Sequence, residues 1–539
     1  IQYHGNFQVQ KATRLPELLT NSAEYMTLWN EANVRGGLTP YFSQATIDAF
    51  KNGNDPAKYP NFDWVDHVFH NALTHNHHIG ISGGNEKTTF NLSMGYLDQG
   101  GIVSIYDFKK YNLLLSVDTK VKDWLTIGGN IQLSKRDIVQ ENFGDNDFVM
   151  SAYSGPNYTP TITLPDGSTG FVARYSNAIG EWTVRNPDAI TASGSRKINL
   201  YSMRPQIYAD VKLAKNLTWL TKGAIGFSSE FNKRHESPID NYYFDDGSYA
   251  HNNAVWQQGV RDLMTQNFET TLYSTLNYQK SIGNHNLNVL AGYNQESNYY
   301  RELRGSRLTF PTTTISELNA GAALGQSTGG TANEWAIQSL FGRLMYDYNG
   351  KYLFEVNARR DGTSRIAPET RWGTFPSVSA GWRISEESFL RSVSWLDNLI
   401  LRASWGKLGN QNLLSTTSYP FDGLAPGVQL NALRDRSLKW ESTTVTDFGV
   451  DFGMKNGLIS LTADWFNKVT DDILYQIPIP ASVGLSSPTI NYGKMKNTGW
   501  EFELGHRNTI GELSYNVNFN FTTFKNKVLD VVSPSYGNT

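Results

Sequence analysis

The sequence predicts an all-β protein whose antiparallel strands roll into a transmembrane barrel. Three observations carry that prediction: runs alternating apolar with polar residues, hairpin turns recurring nearly end to end, and tight connections that alternate with long ones. The stretch from Ser339 to Gln411 shows all three. Leu340, Gly342, Leu344, Tyr346 and Tyr348 share one face of a run whose other face carries Phe341, Arg343, Met345 and Asp347. The run stops at Asn349-Gly350, the dipeptide that best supplies the two positive φ angles of a type I′ turn. A second strand then sets Tyr352, Phe354, Val356 and Ala358 against Leu353, Glu355, Asn357 and Arg359. After a polar loop from Arg360 to Arg371, a third sets Val378, Ala380, Trp382 and Ile384 against Ser377, Ser379, Gly381 and Arg383. A fourth sets Leu399, Leu401, Ala403 and Trp405 against Ile400, Arg402, Ser404 and Gly406.

The same unit recurs along the chain. Ile1 to Gln10 reads as a strand end and Leu15 to Val34 as a helical patch, with Asn21 or Ser22 as a cap. Hairpins then turn at Gly84 to Lys87, Lys122-Asp123, Lys215-Asn216, Gly283-Asn284, Asn456-Gly457 and Asn508 to Gly511. The last strand is the most regular, with Leu513, Tyr515, Val517, Phe519 and Phe521 facing away from Ser514, Asn516, Asn518 and Asn520. Between hairpins lie long polar connections: Tyr96 to Tyr111, Lys135 to Leu200, Ser228 to Thr265, Glu296 to Trp335, Gly406 to Thr443 and Asn467 to Asn491. In one antiparallel sheet, such alternation puts every tight turn at one end and every long loop at the other. Outer-membrane barrels have that asymmetry, whereas a Greek-key sandwich mixes the two kinds. On the short side only Ser385 to Asp397 is longer, and it reads as a turn of helix. Pro205 and Pro376 fall inside strand runs, where a missing N–H fits a rim position or a bulge.

Composition narrows the function classes. A formal charge of -3 over 539 residues gives no electrostatic reason to expect nucleic acid as a partner. Aromatic residues at 13%, including 28 Tyr and 14 Trp, fit the girdles that barrels place at membrane interfaces. The chain has no cysteine, which excludes a disulfide scaffold and thiolate metal sites. The start, IQYHGNFQVQ, has neither the basic nor the apolar part of a secretion signal. For catalysis there is no G-x-S-x-G elbow, no H-E-x-x-H and no phosphate-binding Walker loop, so neither an enzymatic role nor a cofactor is expected.

Specific strings carry a resemblance. Tyr352 to Gly362 (YLFEVNARRDG), Trp372 to Arg383 (WGTFPSVSAGWR) and Leu401 to Gln411 (LRASWGKLGNQ) resemble the SusC/RagA family of TonB-dependent outer-membrane transporters. Tyr59 to Trp64 (YPNFDW), Ser82 to Lys87 (SGGNEK), Leu438 to Glu441 (LKWE) and Asn497 to Glu501 (NTGWE) support it. The resemblance implies a 22-stranded, multi-pass barrel in a bacterial outer membrane, filled by an N-terminal plug. It also implies energisation by the inner-membrane TonB complex, a SusD-like lipoprotein over the extracellular mouth, an oligosaccharide or peptide cargo, and dimerisation of such pairs. About seventeen strands are legible here, so residues 1–539 are expected to form a partial barrel in contact with outer-membrane lipid. The plug and the last strands are expected to lie outside this chain. The alternatives are a TonB-dependent siderophore or cobalamin receptor and, from another class, a soluble all-β glycan-binding or hydrolytic protein.

Candidate sites follow. The loop aromatics Tyr153, Tyr158, Trp182, Tyr242, Tyr243, Tyr249 and Trp256 offer flat faces for cargo or lid, or else hold their own loops together. Arg343, Glu355, Asn357, Arg359, Arg383 and Arg402 are expected to face the lumen and hydrogen-bond the plug, or else to pair across neighbouring strands. His67, His70, His75, His77 and His78 cluster, but without diagnostic metal-ligand spacing, which favours polar strand-end histidines. Asp145, Asp147, Asp245 and Asp246 lack EF-hand spacing and read as solvated loop carboxylates.

Overall fold

The structure, a computed structural model, describes residues 1–103, 105–142, 145–154, 158–177, 186–252, 259–311, 314–411, 435–477, 479–485 and 487–530. A 17-stranded sheet dominates it. Each of its strands pairs antiparallel with the sheet strands that precede and follow it in the chain. Among the described residues its two edges are Gln2–Gln10, paired only with Ala72–Gly84, and Leu513–Asp530, paired only with Lys494–Ile510.

The alternation read from the sequence sets the register. Ser327–Tyr348 and Tyr352–Thr363 place Leu344 opposite Val356 and Tyr348 opposite Tyr352, and the Lys351 N–H closes the turn on the Tyr348 carbonyl at 3.0 Å. Asn349 and Gly350 take φ of 55° and 67°, as a type I′ turn requires. The apolar row continues sideways through Val289, Leu344, Val356, Val378 and Trp405. No second sheet covers this face among the described residues: Leu340, Phe448, Phe519 and Ile207 all stand exposed. The buried apolar clusters lie instead in the connections at the long-loop end. A sandwich would bury its apolar face between two sheets, so this wall is built for acyl chains on its apolar side. Tyr348, Tyr352 and Trp382 line up beside the tight turns, where a membrane interface favours amphipathic rings.

The strands exceed what a membrane needs. Gly259–Ile282 has 24 residues and His285–Arg307 has 23, against the roughly 9–11 that cross a bilayer. The surplus lies at the long-loop end, where outward positions such as Arg301 and Glu334 are polar because water replaces lipid. That surplus corrects several expected loops: strands Thr88–Gly100 and Asp107–Lys122 leave only residues 101–106 between them, not the whole of Tyr96 to Tyr111. Pro205 is not at a rim. It lies inside Arg196–Ala214, where the ladder to Leu217–Glu236 skips from Met203 to Gln206. Pro376 pairs on one side only, because the next ladder begins at Ser377. Helix Ser22–Arg35 starts later than Leu15, since the Asn21 side chain caps it by accepting the Glu24 N–H at 2.9 Å.

On the short side, the longer connection contains the 3-10 turn Ile384–Glu386, followed by a fixed carboxylate. Glu387 accepts from the Tyr352 hydroxyl at 2.7 Å, the Trp382 indole N–H at 3.1 Å and the Lys351 ammonium at 3.2 Å. These donors hold its carboxyl down at about 2, below the ordinary 4.5. A carboxyl depressed in the folded state stabilises above its unfolded pKa and loses that contribution as pH falls through the folded value. The thermal midpoint in detergent should therefore fall between about pH 4.5 and about pH 2, and Glu387→Gln should flatten that segment. An unchanged slope in the variant would contradict this. Leu344→Arg, on the apolar face, should cost about 2–4 kcal/mol in lipid vesicles by denaturant titration, while the inward Ser379→Arg should cost far less.

Candidate functional site

At the long-loop end, three connections from different parts of the chain share one core. Met26, Phe42 and Phe50 come from the first, Tyr158 and Tyr175 from the one after strand Leu125–Gln140, and Phe244 from the one after Leu217–Glu236. Tyr158 stacks on Phe244 with ring centroids 5.5 Å apart. The Asn30 side chain accepts the Tyr41 and Phe42 N–H groups at 2.7 and 2.8 Å and donates to the Phe42 carbonyl at 2.7 Å. Strand Asp240–Tyr243 pairs in parallel with Thr169–Arg174, zipping two connections into a small sheet. Asn186 caps helix Pro187–Ala192 and also donates to the Pro160 and Val172 carbonyls at 2.7 and 3.0 Å. A second core joins Trp64, Val68, Val103, Phe148 and Ile190. The mouth is thus a packed platform.

The strings that carry the resemblance have structural reasons here. In YPNFDW, Asp63 caps helix Trp64–Val68 and Trp64 enters the second core. In LKWE, the Trp440 indole donates to the Arg371 carbonyl at 2.7 Å and packs on Phe375. At Gly499 of NTGWE, a Cβ would lie 2.3 Å from the Thr523 carbonyl oxygen, so only glycine fits.

Below the platform, the polar face of the sheet is a wall of charged and amide side chains. Arg402 grips Asp451 with two bonds of 2.7 and 3.0 Å and reaches Asp464 at 2.9 Å. Arg359 binds Asp361 at 2.7 Å and the Ser339 hydroxyl at 2.8 Å. Asn357 donates to Glu355 at 2.8 Å and Ser377 at 3.3 Å. These four expected lumen residues therefore pair within the wall. Arg343 and Arg383 share its face without an ion pair among the described residues. The basic side chains of the Asp107–Lys122 and Leu125–Gln140 strands were missed at the sequence level, because a lysine or arginine beside an outward twin reads as a plain charge run.

The expected loop aromatics separate by burial. Tyr158 is 1% exposed and Tyr243 6%, which commits both to loop packing and removes them as faces for cargo. The Tyr243 hydroxyl donates to Asn177 at 2.9 Å, and Arg174 covers its ring. Tyr153 stacks on Phe69, and Tyr242 meets Tyr249 edge to face. Tyr249 is 57% exposed. Trp182 and Trp256 lie outside the described residues, as do the side chains of Asp145 and Asp147. Burial and the neighbouring Asp246 push the Asp245 carboxyl up, whereas Ser248 holds Asp246 down. His75 and His77 share a strand face with ring nitrogens 3.2 Å apart, and His67 binds Asp188 at 2.9 Å. Among the described residues no group of three or more His, Asp or Glu is arranged to hold a metal ion.

With this geometry in hand, the chain can be set beside known proteins. The family model described as "TonB dependent receptor-like, beta-barrel" matches residues 136–539. The chain belongs to that family. It is accordingly an outer-membrane protein that crosses with strands. It is 28% identical to TonB-dependent receptor P26 of Formosa agariphila over 97% of the chain and 51% of that relative. With TonB-dependent receptor SusC of Bacteroides thetaiotaomicron it shares 27% over 85% of the chain and 48% of that protein. It thus spans about half the length of the curated relatives it matches. The structure of the RagAB peptide transporter superposes with a TM-score of 0.81 at 18% identity, over 98% of this chain and 61% of that one. The outer-membrane transporter YddB from Escherichia coli follows at a TM-score of 0.54.

Because Tyr158 belongs to the platform rather than the wall, Tyr158→Ala should loosen the loops alone. The expected loss is about 3–5 kcal/mol of local stability, read as faster hydrogen exchange at residues 22–50 and 169–175 with strand protection unchanged.

Proposed function

We propose that this chain forms wall and mouth of an active importer, which takes an oligosaccharide or a peptide across the bacterial outer membrane with energy from the TonB complex. A SusD-like lipoprotein covers the platform in this reading, and pairs of importer and lid dimerise. The plug and the remaining barrel strands belong to the same machine. The observation that carries the proposal is the packed platform at one end of a polar-lined wall whose other face is apolar. A rigid, self-supporting rim suits capture and a hinged lid, and the hydrated lumen suits a polar cargo. The similarity to TonB-dependent receptor SusC and the superposition on RagAB, named a peptide transporter, support this reading.

Growth of a strain lacking the full-length gene, on panels of oligosaccharides and peptides as sole nutrient, tests it. Loss of growth on at least one member, reproduced by a protonophore in uptake assays, is expected, together with a lipoprotein co-purifying from the wild type. Normal growth on every member with no co-purifying lipoprotein would sink the proposal.

A further inference from the structure

The lumen wall holds two cations that have no counter-charge among the described residues. In the segments DFKKY (residues 107–111) and SKRDI (residues 134–138), adjacent basic residues point to opposite faces of their strands. The outward ones are neutralised: Lys109 lies 3.6 Å from Asp98 and 3.8 Å from Asp107, and Lys135 lies 2.8 Å from Asp137. The inward ones, Lys110 and Arg136, are direct cross-strand partners. Such a pair sets its Cβ atoms about 5 Å apart, and like charges directly opposite destabilise a sheet. Neither makes a hydrogen bond or an ion pair with any described residue.

Both line a cavity of 580 Å³ together with His78, Ser134, Ser202 and Arg204. The Ser134 hydroxyl is buried there without a partner. The nearby lumen carboxylate is already committed, since Glu269 binds Arg204 at 3.0 Å and Asn267 at 3.0 Å. Glu230 stands on the far side of Leu200, two strands away from Arg136. Lys110 lies near the long-loop end of Asp107–Lys122, on the side from which cargo enters.

We infer that Lys110, Arg136 and Ser134 form an oxyanion subsite on the cargo path, one that takes a carboxylate or sulfate carried by the imported molecule. The guanidinium fork matches a planar carboxylate, the ammonium adds a point charge, and the serine hydroxyl donates the third bond. The inference rests on the import reading and narrows its substrate class to acidic cargo.

The test uses the purified full-length transporter in detergent and acetylation by an N-hydroxysuccinimide ester, scored residue by residue by mass spectrometry. Trigalacturonate and a tri-glutamate peptide are the acidic probes; maltotriose and N-acetyl-trialanine amide are the neutral ones. At about twice its Kd, an acidic probe should slow acetylation of Lys110 roughly threefold, while the exposed Lys122 beside a tight turn reacts unchanged. Protection by trigalacturonate alone assigns an acidic glycan, by tri-glutamate alone an acidic peptide, and by both a subsite that reads charge. Arg136→Gln should abolish the protection, and Arg136→Lys should retain part of it. Undiminished labelling with both acidic probes, equal slowing by neutral probes, or a Lys110 inert without any probe would each overturn the subsite. Uptake in cells separates the two readings: energy-dependent uptake without Lys110 protection leaves import standing and removes the subsite, whereas protection without uptake does the reverse.

Discussion

Every other feature of this protein depends on one constraint: in hydrocarbon, each backbone N–H and C=O must find a partner within the protein, or cost several kcal/mol. A meander of antiparallel neighbours meets it with the least chain. Gly259–Ile282 and His285–Arg307 pair continuously from Val260 opposite Arg307 down to Ile282 opposite His285. The constraint also explains where proline is tolerated. Pro205 faces a gap in its ladder and Pro376 the end of another, so neither withdraws a bond the sheet needs.

Once the wall is fixed this way, the two ends are free to differ, and they do. At the tight-turn end most connections are short, and in the one longer connection the Glu387 carboxylate anchors to the interfacial Tyr352 and Trp382. At the other end the connections carry the buried apolar clusters of the described residues. The wall spends its large apolar side chains on lipid, so water-driven burial operates only where the strands leave the membrane. The platform is therefore a small water-facing fold resting on a membrane-spanning sheet. Its shape is set by contacts between loops far apart in sequence, such as Tyr158 on Phe244.

Inside the wall, charge is distributed unevenly. Around Arg402, the carboxylates of Asp451 and Asp464 both pair with the guanidinium. Around Lys110 and Arg136 no carboxylate among the described residues comes to meet them. A hydrated lumen tolerates both, because water screens what the protein leaves unpaired. The difference matters for what each region can bind.

Legibility followed the reach of the physics. The hairpins from Leu340 to Gly406 were readable because alternation, an Asn-Gly turn and side-chain chemistry all act within a few residues. The upper strand extensions were not, since above the membrane the outward face turns polar and the apolar signal disappears, as at Arg301 and Glu334. Tyr158 and Tyr249 look alike in sequence, both in polar loops, yet one is 1% exposed and the other 57%, because burial is decided by which distant loop arrives. Likewise Lys109 and Lys110 are chemically adjacent twins. The sequence by itself determined strand periodicity, turn placement and the alternation of short with long connections, all local consequences of residue type. Only the tertiary structure decided which loops fuse into a platform and which cations stay unpaired, because both depend on partners brought together by strand pairing across the sheet.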